Sequence, residues 1–283
     1  MIPPRQALKR LGRQPAKGLG QHFLMHRATA EKIAAAIRPG TGDVVVEIGA
    51  GLGALTLPLC RSGARVVAVE IDRGLAAFLR DEILPQVPQD LFTVLAEDIL
   101  EVDLYSLSAR WGRKLKVIGN LPYQISSPVL FKLMEAAPCI EEAILMLQDE
   151  VAERLLAEGG SRDQGILSVM VAYHCDRSRL MRLKPSQFFP APKVDSTVVH
   201  LVFRPWPGEP RVEVGWLLKV VRAAFSHRRK TLRNSLRGGA LPALAAGTLD
   251  AALGDAGIQP GRRAESLTVE EYVRLAQAVA KRL

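Results

Sequence analysis

The stretch Asp43-Val44-Val45-Val46-Glu47-Ile48 runs directly into Gly49-Ala50-Gly51-Leu52-Gly53 and from there into an apolar helical pattern. A short β-branched run followed by glycines at alternate positions makes a tight turn where a ligand can approach the backbone closely. Strand, glycine turn and helix N-terminus open a parallel α/β sheet. The spacing is G-x-G-x-G, not the G-x-G-x-x-G of dinucleotide folds, and no complete pyrophosphate fingerprint is present. A cofactor carrying a nucleoside without phosphates fits better. Alone, such a turn is a weak signal.

Three further units repeat the pattern. Residues 64–69 form another buried-strand run ending in Glu70, 21 residues beyond Gly49, where a carboxylate can accept both hydroxyls of a ribose. Residues 91–95 end in Ala96-Glu97-Asp98, and the apolar run 115–119 delivers Asn120-Leu121-Pro122-Tyr123. Four strands with helical material between them predict a parallel α/β sheet, whose ligands collect beyond the carboxyl ends of the strands. Gly49, Glu70, Asp98 and Asn120 then share one rim. Acids at strand ends are often only solvated turn formers, but four positions in register argue for a site. Asn120 offers an acceptor and donors, Pro122 restricts the backbone of Leu121, and Tyr123 provides a flat face with a polar end. The plainer reading is a strand that stops in a turn, with Tyr123 in the core.

Beyond this point the pattern predicts a helix over 127–135, a strand over 143–147 and a long helix opening at Asp149. Late strands, open to antiparallel pairing, are expected over 168–174 and 196–203. Between these two lies Gln187-Phe188-Phe189-Pro190-Ala191-Pro192-Lys193-Val194-Asp195-Ser196, a loop stiffened by two prolines that positions Phe188. A buried structural ring is the alternative.

Charge is unevenly spread. Residues 1–40 carry eight Lys/Arg against one acid, 41–210 carry 17 against 22, and 211–283 carry 13 against six. Two basic flanks around an acidic middle suit a polyanion gripped at both ends, although anionic membranes would suit the same charge. Residues 1–18 read as a mobile basic arm, 19–208 as an α/β domain with a ligand rim, and 209–283 as a helical domain whose cations suit a polyanion. The boundary falls in the proline-rich segment 204–210. Within the last domain Arg228, Arg229, Lys230, Arg233 and Arg237 crowd one helix-turn region. From Arg211 to Asp250 the only acid is Glu213, so these cations read as phosphate contacts. Cys60, Cys139 and Cys175 are far apart and lack metal-site spacing, so they read as reduced core thiols of a cytoplasmic protein with no metal. No window approaches a membrane span.

Together, Gly20-Gln21-His22-Phe23-Leu24, Glu47 to Gly53, Asn120-Leu121-Pro122-Tyr123, Phe188 to Ser196 and Phe225 to Leu236 resemble the ribosomal RNA adenine N6,N6-dimethyltransferases of the small-subunit (KsgA/RsmA) type. One departure is His22, where many relatives have Asn. The resemblance implies a Rossmann-like class I methyltransferase with a mostly parallel seven-stranded sheet and a small all-helical C-terminal domain. It implies that 19–208 is the S-adenosylmethionine-binding catalytic domain and 209–283 the RNA-binding domain. It also implies that S-adenosylmethionine is held by His22, Leu24, Gly49, Gly51, Glu70, Asp98 and Asn120. Asn120, Leu121, Pro122 and Tyr123, with Phe188 on the other face, would present a flipped adenine. Arg228, Arg229, Lys230 and Arg233 would bind the RNA. The implied reaction is dimethylation of two adjacent adenosines in the 3′-terminal hairpin of small-subunit rRNA, by a monomer acting on an assembly intermediate. A large-subunit adenine methyltransferase and a non-catalytic ribosome-assembly factor are the alternatives.

Overall fold

The parallel strands are continuous apolar runs because both faces of the sheet are covered; every residue of Val44–Ile48 is buried. In the computed structural model, which describes residues 2–208, 212–227, 229–239, 241 and 246–282, the chain divides into two compact units. The first comprises Met1–Ala152 and Asp176–Arg204, and the second Glu153–Cys175 and Pro205–Leu283.

The strands, in chain order, are β1 (Phe23–Leu24), β2 (Val44–Ile48), β3 (Arg65–Val69), β4 (Phe92–Leu95), β5 (Leu115–Asn120), β6 (Ile140–Gln148), β7 (Cys175–Leu183), β8 (Phe188–Phe189) and β9 (Ser196–Phe203). Seven form one sheet in the order β4-β3-β2-β5-β6-β9-β7. The run from β4 to β6 is parallel, and β9 lies antiparallel to β6. This is the mostly parallel seven-stranded sheet that the resemblance implies. From β2 the chain builds outward through β3 and β4, then returns to β5 on the other side. That reversal puts the topological switch point, and the crevice for a ligand, between β2 and β5. Ile48 pairs with Gly119 there, and a Cβ on Gly119 would come within 2.8 Å of the Ile48 carbonyl oxygen. Only glycine permits that approach.

Two elements differ from the sequence expectation. Residues 168–174 are not a strand but belong to the helix Ile166–His174. Their run of Val, Met, Val, Ala and Tyr is buried nearly all round, and a segment buried on every side carries no period to separate helix from strand. The strand lies just after it, in Cys175–Leu183, whose four interspersed Asp and Arg residues suit an edge strand. The N-terminal residues are likewise not a mobile arm: Pro4–Arg10 is a helix with Pro4, Ala7 and Leu8 buried.

The second unit contains the helices Ile166–His174, Val214–Ala224, Leu232–Gly238, Ala246–Asp255 and Val269–Ala280. Tyr272 is fully buried at its centre, stacked on Phe225 with 6.1 Å between ring centroids, and its hydroxyl donates to the Ala264 carbonyl at 2.8 Å. Thr268 and Glu271 cap the last helix reciprocally. The helical unit takes in residues 153–175 as well as the C-terminal region. Glu209 and Pro210, at the expected boundary, lie outside the described residues.

Candidate functional site

A cleft opens over the carboxyl ends of the strands at the switch point, lined in part by Gly49, Gly51, Glu70, Asp98, Asn120 and Tyr123. His22, Leu24, Leu121 and Pro122 also line it. The glycines of the β2 turn, Gly49, Gly51 and Gly53, all have positive φ, at 68°, 57° and 76°. Only Gly adopts three such conformations cheaply. A Cβ on Gly51 would also sit 3.2 Å from the Phe23 ring. The turn therefore presents bare backbone to the cleft.

Glu70 leaves β3 beside this turn. Its Oε2 accepts from the Gly51 amide at 2.8 Å and its Oε1 from the Asp72 amide at 2.9 Å. The two backbone donors fix the plane of the carboxylate and leave each oxygen further acceptor capacity. Burial raises the Glu70 pKa, with the two backbone hydrogen bonds opposing. Asp98 is partly exposed; its Oδ1 accepts from the Leu100 amide at 2.9 Å, which leaves Oδ2 without a partner among the described residues. Two acids with spare acceptor positions above an open backbone turn suit the hydroxyls and exocyclic amine of a nucleoside. They would repel a pyrophosphate. The arrangement fits S-adenosylmethionine.

Asn120 ends β5, and its amide is oriented by the protein. Nδ2 donates to the His22 carbonyl at 2.6 Å, so Oδ1 is left as an acceptor for a ligand. The Leu121 amide donates to the Met146 carbonyl at 3.2 Å, while no donor among the described residues meets the Leu121 carbonyl. Tyr123 is braced by its hydroxyl, 3.0 Å from Ser196 Oγ at the start of β9, and burial raises its pKa so that it stays neutral. His22 ties these parts together: its ring stacks on Tyr123 at 5.5 Å, and Nδ1 lies 2.6 Å from the Pro190 carbonyl. A carbonyl can only accept, so Nδ1 carries the proton. The departure at position 22 thus acquires three contacts, two through the ring and one through the backbone.

Phe188 is not brought to the cleft. It is 2% exposed, pairs with Leu24 across the β1–β8 ladder and packs in the apolar cluster with Leu24, Leu183 and Val198. The core takes this ring, and Tyr123 is left as the aromatic face at the site. Of the cations read as RNA contacts, Arg229 and Lys230 are exposed and have no acid partner among the described residues. Arg228 lies outside the described residues. Arg233 is not unpaired as expected, because Asp250, 17 residues on, holds its guanidinium through both Nε (2.6 Å) and Nη2.

Two residues of the cleft, Ile71 and Ile99, were not singled out from sequence, and Glu47 entered only as part of the glycine motif. Glu47 is 2% exposed and its Oε2 accepts from Thr56 Oγ1 at 2.6 Å; burial pushes its pKa up to about 8, which leaves it largely protonated at neutral pH. Ile71 is 49% exposed although it follows the buried Glu70, and with Ile99 it gives the cleft an apolar side. Position offers the signal for the two isoleucines: Ile71 follows directly on Glu70 and Ile99 on Asp98. Among the described residues no group of three or more His, Cys, Asp or Glu could hold a metal ion, and no helix is long and apolar enough to cross a membrane. All three cysteines are buried, and none is in a disulfide.

The family model described as ribosomal RNA adenine dimethylase matches residues 13–281. A protein named ribosomal RNA small subunit methyltransferase A from Anaeromyxobacter dehalogenans (strain 2CP-C) is 41% identical over 98% of this chain and 97% of its own length. The protein of the same name from Geobacter sulfurreducens is 42% identical over 95% of this chain and 96% of its own. Among solved structures, a dimethyladenosine transferase from Plasmodium falciparum superposes with a TM-score of 0.76 at 25% identity, covering 92% of this chain and 98% of the other. The 23S rRNA methyltransferase ErmE gives 0.66 at 27% identity, covering 91% and 99%.

Proposed function

Since the chain belongs to the ribosomal RNA adenine dimethylase family, we propose that it dimethylates the N6 amines of two adjacent adenosines in the 3′-terminal hairpin of small-subunit rRNA. S-adenosylmethionine-dependent methylation of rRNA adenine is the activity of this enzyme. The choice of subunit, the pair of adenosines, action as a monomer on a small-subunit assembly intermediate in the cytoplasm, and a role in ribosome biogenesis complete the proposal. The names of the relatives at about 40% identity favour the small subunit.

The observation that carries the chemistry is the orientation of Asn120. An adenine N6 is a poor nucleophile because its lone pair is delocalised into the ring. Its two N–H bonds, held by Asn120 Oδ1 and the Leu121 carbonyl, favour a pyramidal nitrogen whose lone pair is free to attack. The fixed Nδ2 contact to His22 means that Asn120 offers an acceptor without first having to turn. S-adenosylmethionine supplies a methyl group on a sulfonium sulfur, already strongly electrophilic. Glu70 would hold its ribose hydroxyls, Asp98 its adenine amine, and Ile71 and Ile99 the faces of that ring. Tyr123, braced by Ser196 and His22, would stack on the target base and hold it out of its helix. Methylation makes N6 acidic, so the departing proton needs no side-chain base; the protein's task is positioning. Arg229 and Lys230, with Arg228 beside them in sequence, would meet RNA phosphates through the helical unit.

Incubation of unmethylated small and large subunits with methyl-labelled S-adenosylmethionine, followed by nucleoside mapping, tests the reading. The expected product is N6,N6-dimethyladenosine at two neighbouring positions of small-subunit rRNA. Label confined to large-subunit rRNA would replace the proposed substrate, and absence of label with cofactor bound would overturn the reaction.

A further inference from the structure

The N-terminal residues were expected to be free, yet they are fastened to the rim of the cofactor cleft. Ile2 and Pro4 line the cleft itself. On the buried side of the helix Pro4–Arg10, Leu8 packs with Phe23 and Leu75. Arg5 lies over the Phe189 ring, 4.9 Å from its centroid, one residue before the Pro190 whose carbonyl holds His22. Downstream, Arg13 Nη2 reaches Asp72 Oδ2 at 2.8 Å, and Gln21 Nε2 donates to the same oxygen at 3.2 Å. Asp72 is also the residue whose amide orients Glu70. The N-terminal segment is thus anchored to the base-side loop through Arg5 and, through Arg13 and Gln21, to Asp72 beside the ribose-side acid.

Its other side is basic. Arg5, Lys9 and Arg10 are exposed, as is Lys17 beyond them, and among the described residues none of the four has an acid partner. Arg5 and Lys9 stand four apart on a helix, where like charges repel. A fold that fixes such a face without counter-charges leaves it for an anionic partner.

We propose that this helix is a preordered phosphate-gripping surface for the RNA strand flanking the target adenosine. The inference rests on the function proposed above and extends its RNA contacts to the unit that carries the cleft. A phosphodiester backbone fits better than a lipid surface, because an amphipathic helix binds a bilayer by burying its apolar face there, and Pro4, Ala7 and Leu8 are already committed to the protein. Position fits as well, since a flipped base in the cleft leaves its neighbouring phosphates at the rim.

The test compares the full-length wild type with Arg5→Gln/Lys9→Gln/Arg10→Gln and with Lys9→Glu/Arg10→Glu, which keeps the Arg5–Phe189 contact. The control, Arg61→Gln/Arg113→Gln/Lys114→Gln, removes three exposed cations at the opposite end of the sheet. Affinity for unmethylated small subunits is measured against salt, together with methylation kinetics and S-adenosylmethionine affinity. The rim triple should raise the KM for subunits, leave kcat and cofactor affinity unchanged, and flatten the plot of log affinity against log salt by about 2 to 3 in slope, at roughly 0.7 to 0.9 per lost phosphate contact. The double variant should raise KM at least as much, and the control should do neither. An unchanged salt slope in the rim variants, or an equal change in the control, would overturn the proposal. So would loss of binding to phosphatidylglycerol vesicles with RNA affinity intact. If the wild type binds subunits in a rim-dependent way but transfers no methyl, the surface stands and the proposed reaction fails; if it does not bind them, both fail.

Discussion

The two ends of the same parallel sheet bury polar groups to a similar degree and treat them in opposite ways. At the amino end, Lys116 on β5 is 7% exposed and Glu142 on β6 is 8% exposed. Lys116 Nζ lies 3.1 Å from Asp43 Oδ2 and 3.3 Å from Glu142 Oε1, and it donates to the Ile37 and Arg38 carbonyls at 3.2 Å each. Glu142 Oε2 is in turn 2.6 Å from His200 Nε2. Burial alone would lower the Lys116 pKa, but Asp43 and Glu142 outweigh it and the net shift is upward. Every donor there is used. At the carboxyl end Glu70 is 5% exposed, yet its carboxylate is only half occupied, as is the Asn120 amide. Burial therefore does not distinguish a structural network from a site. Unfilled valences on rigidly held groups do.

Breaking the closed network should have the largest effect, and it should fall on stability. Lys116→Met leaves two carboxylates facing each other and should cost about 3–5 kcal/mol in denaturant melts. The folded fraction should keep its kcat/KM. At the open end, Asn120→Ala should lower the single-turnover methyl-transfer rate by about 10²-fold or more, the scale of lost alignment of the reacting amine. Its unfolding midpoint should stay near that of the wild type. Glu70→Gln should weaken S-adenosylmethionine binding by about ten-fold, the worth of one hydrogen bond to a charged group, as read by calorimetry.

The smallest effect separates Glu47 from both classes. It borders the cleft but is 2% exposed, and one of its oxygens accepts from Thr56 Oγ1. Its pKa is raised in the fold from 4.5 to about 8, so the folded state binds the extra proton across that interval. The group's contribution to stability is complete below pH 4.5, shrinks as pH rises, and is gone above about 8. The Tm of Glu47→Gln should lack this fall when compared with wild type between pH 5 and 9. Parallel profiles would show that Glu47 is already ionised.

The same distinction explains what could be read from the sequence. The sheet and its rim were legible because each strand announces itself by an apolar run and ends in a turn that exposes Gly49, Glu70, Asp98 or Asn120 at a fixed place. Residues 168–174 were not, since a segment apolar on every side has no period, and the edge strand Cys175–Leu183 looks polar because half of it faces water. The basic composition of residues 1–18 hid the apolar pair Ala7 and Leu8 that docks their helix. Pairings across long separations were invisible. Phe188 meets Leu24 in the core, Arg233 meets Asp250, and His22 reaches Pro190 only after 168 residues of chain have folded back. Sequence shows which groups lie on the rim. Whether their valences are already filled depends on contacts that only the fold makes.

The most direct measurement sets the two ends of the sheet against each other in one experiment. Unmethylated small subunits are treated with wild type, Asn120→Ala or Lys116→Met, each at equal folded concentration with saturating S-adenosylmethionine, and the rRNA nucleosides are quantified. Wild type and Lys116→Met should yield the same N6,N6-dimethyladenosine, while Asn120→Ala yields little or none. Equal product from Asn120→Ala, or loss of product from folded Lys116→Met, would contradict the assignment of chemistry to the open valences at the carboxyl end.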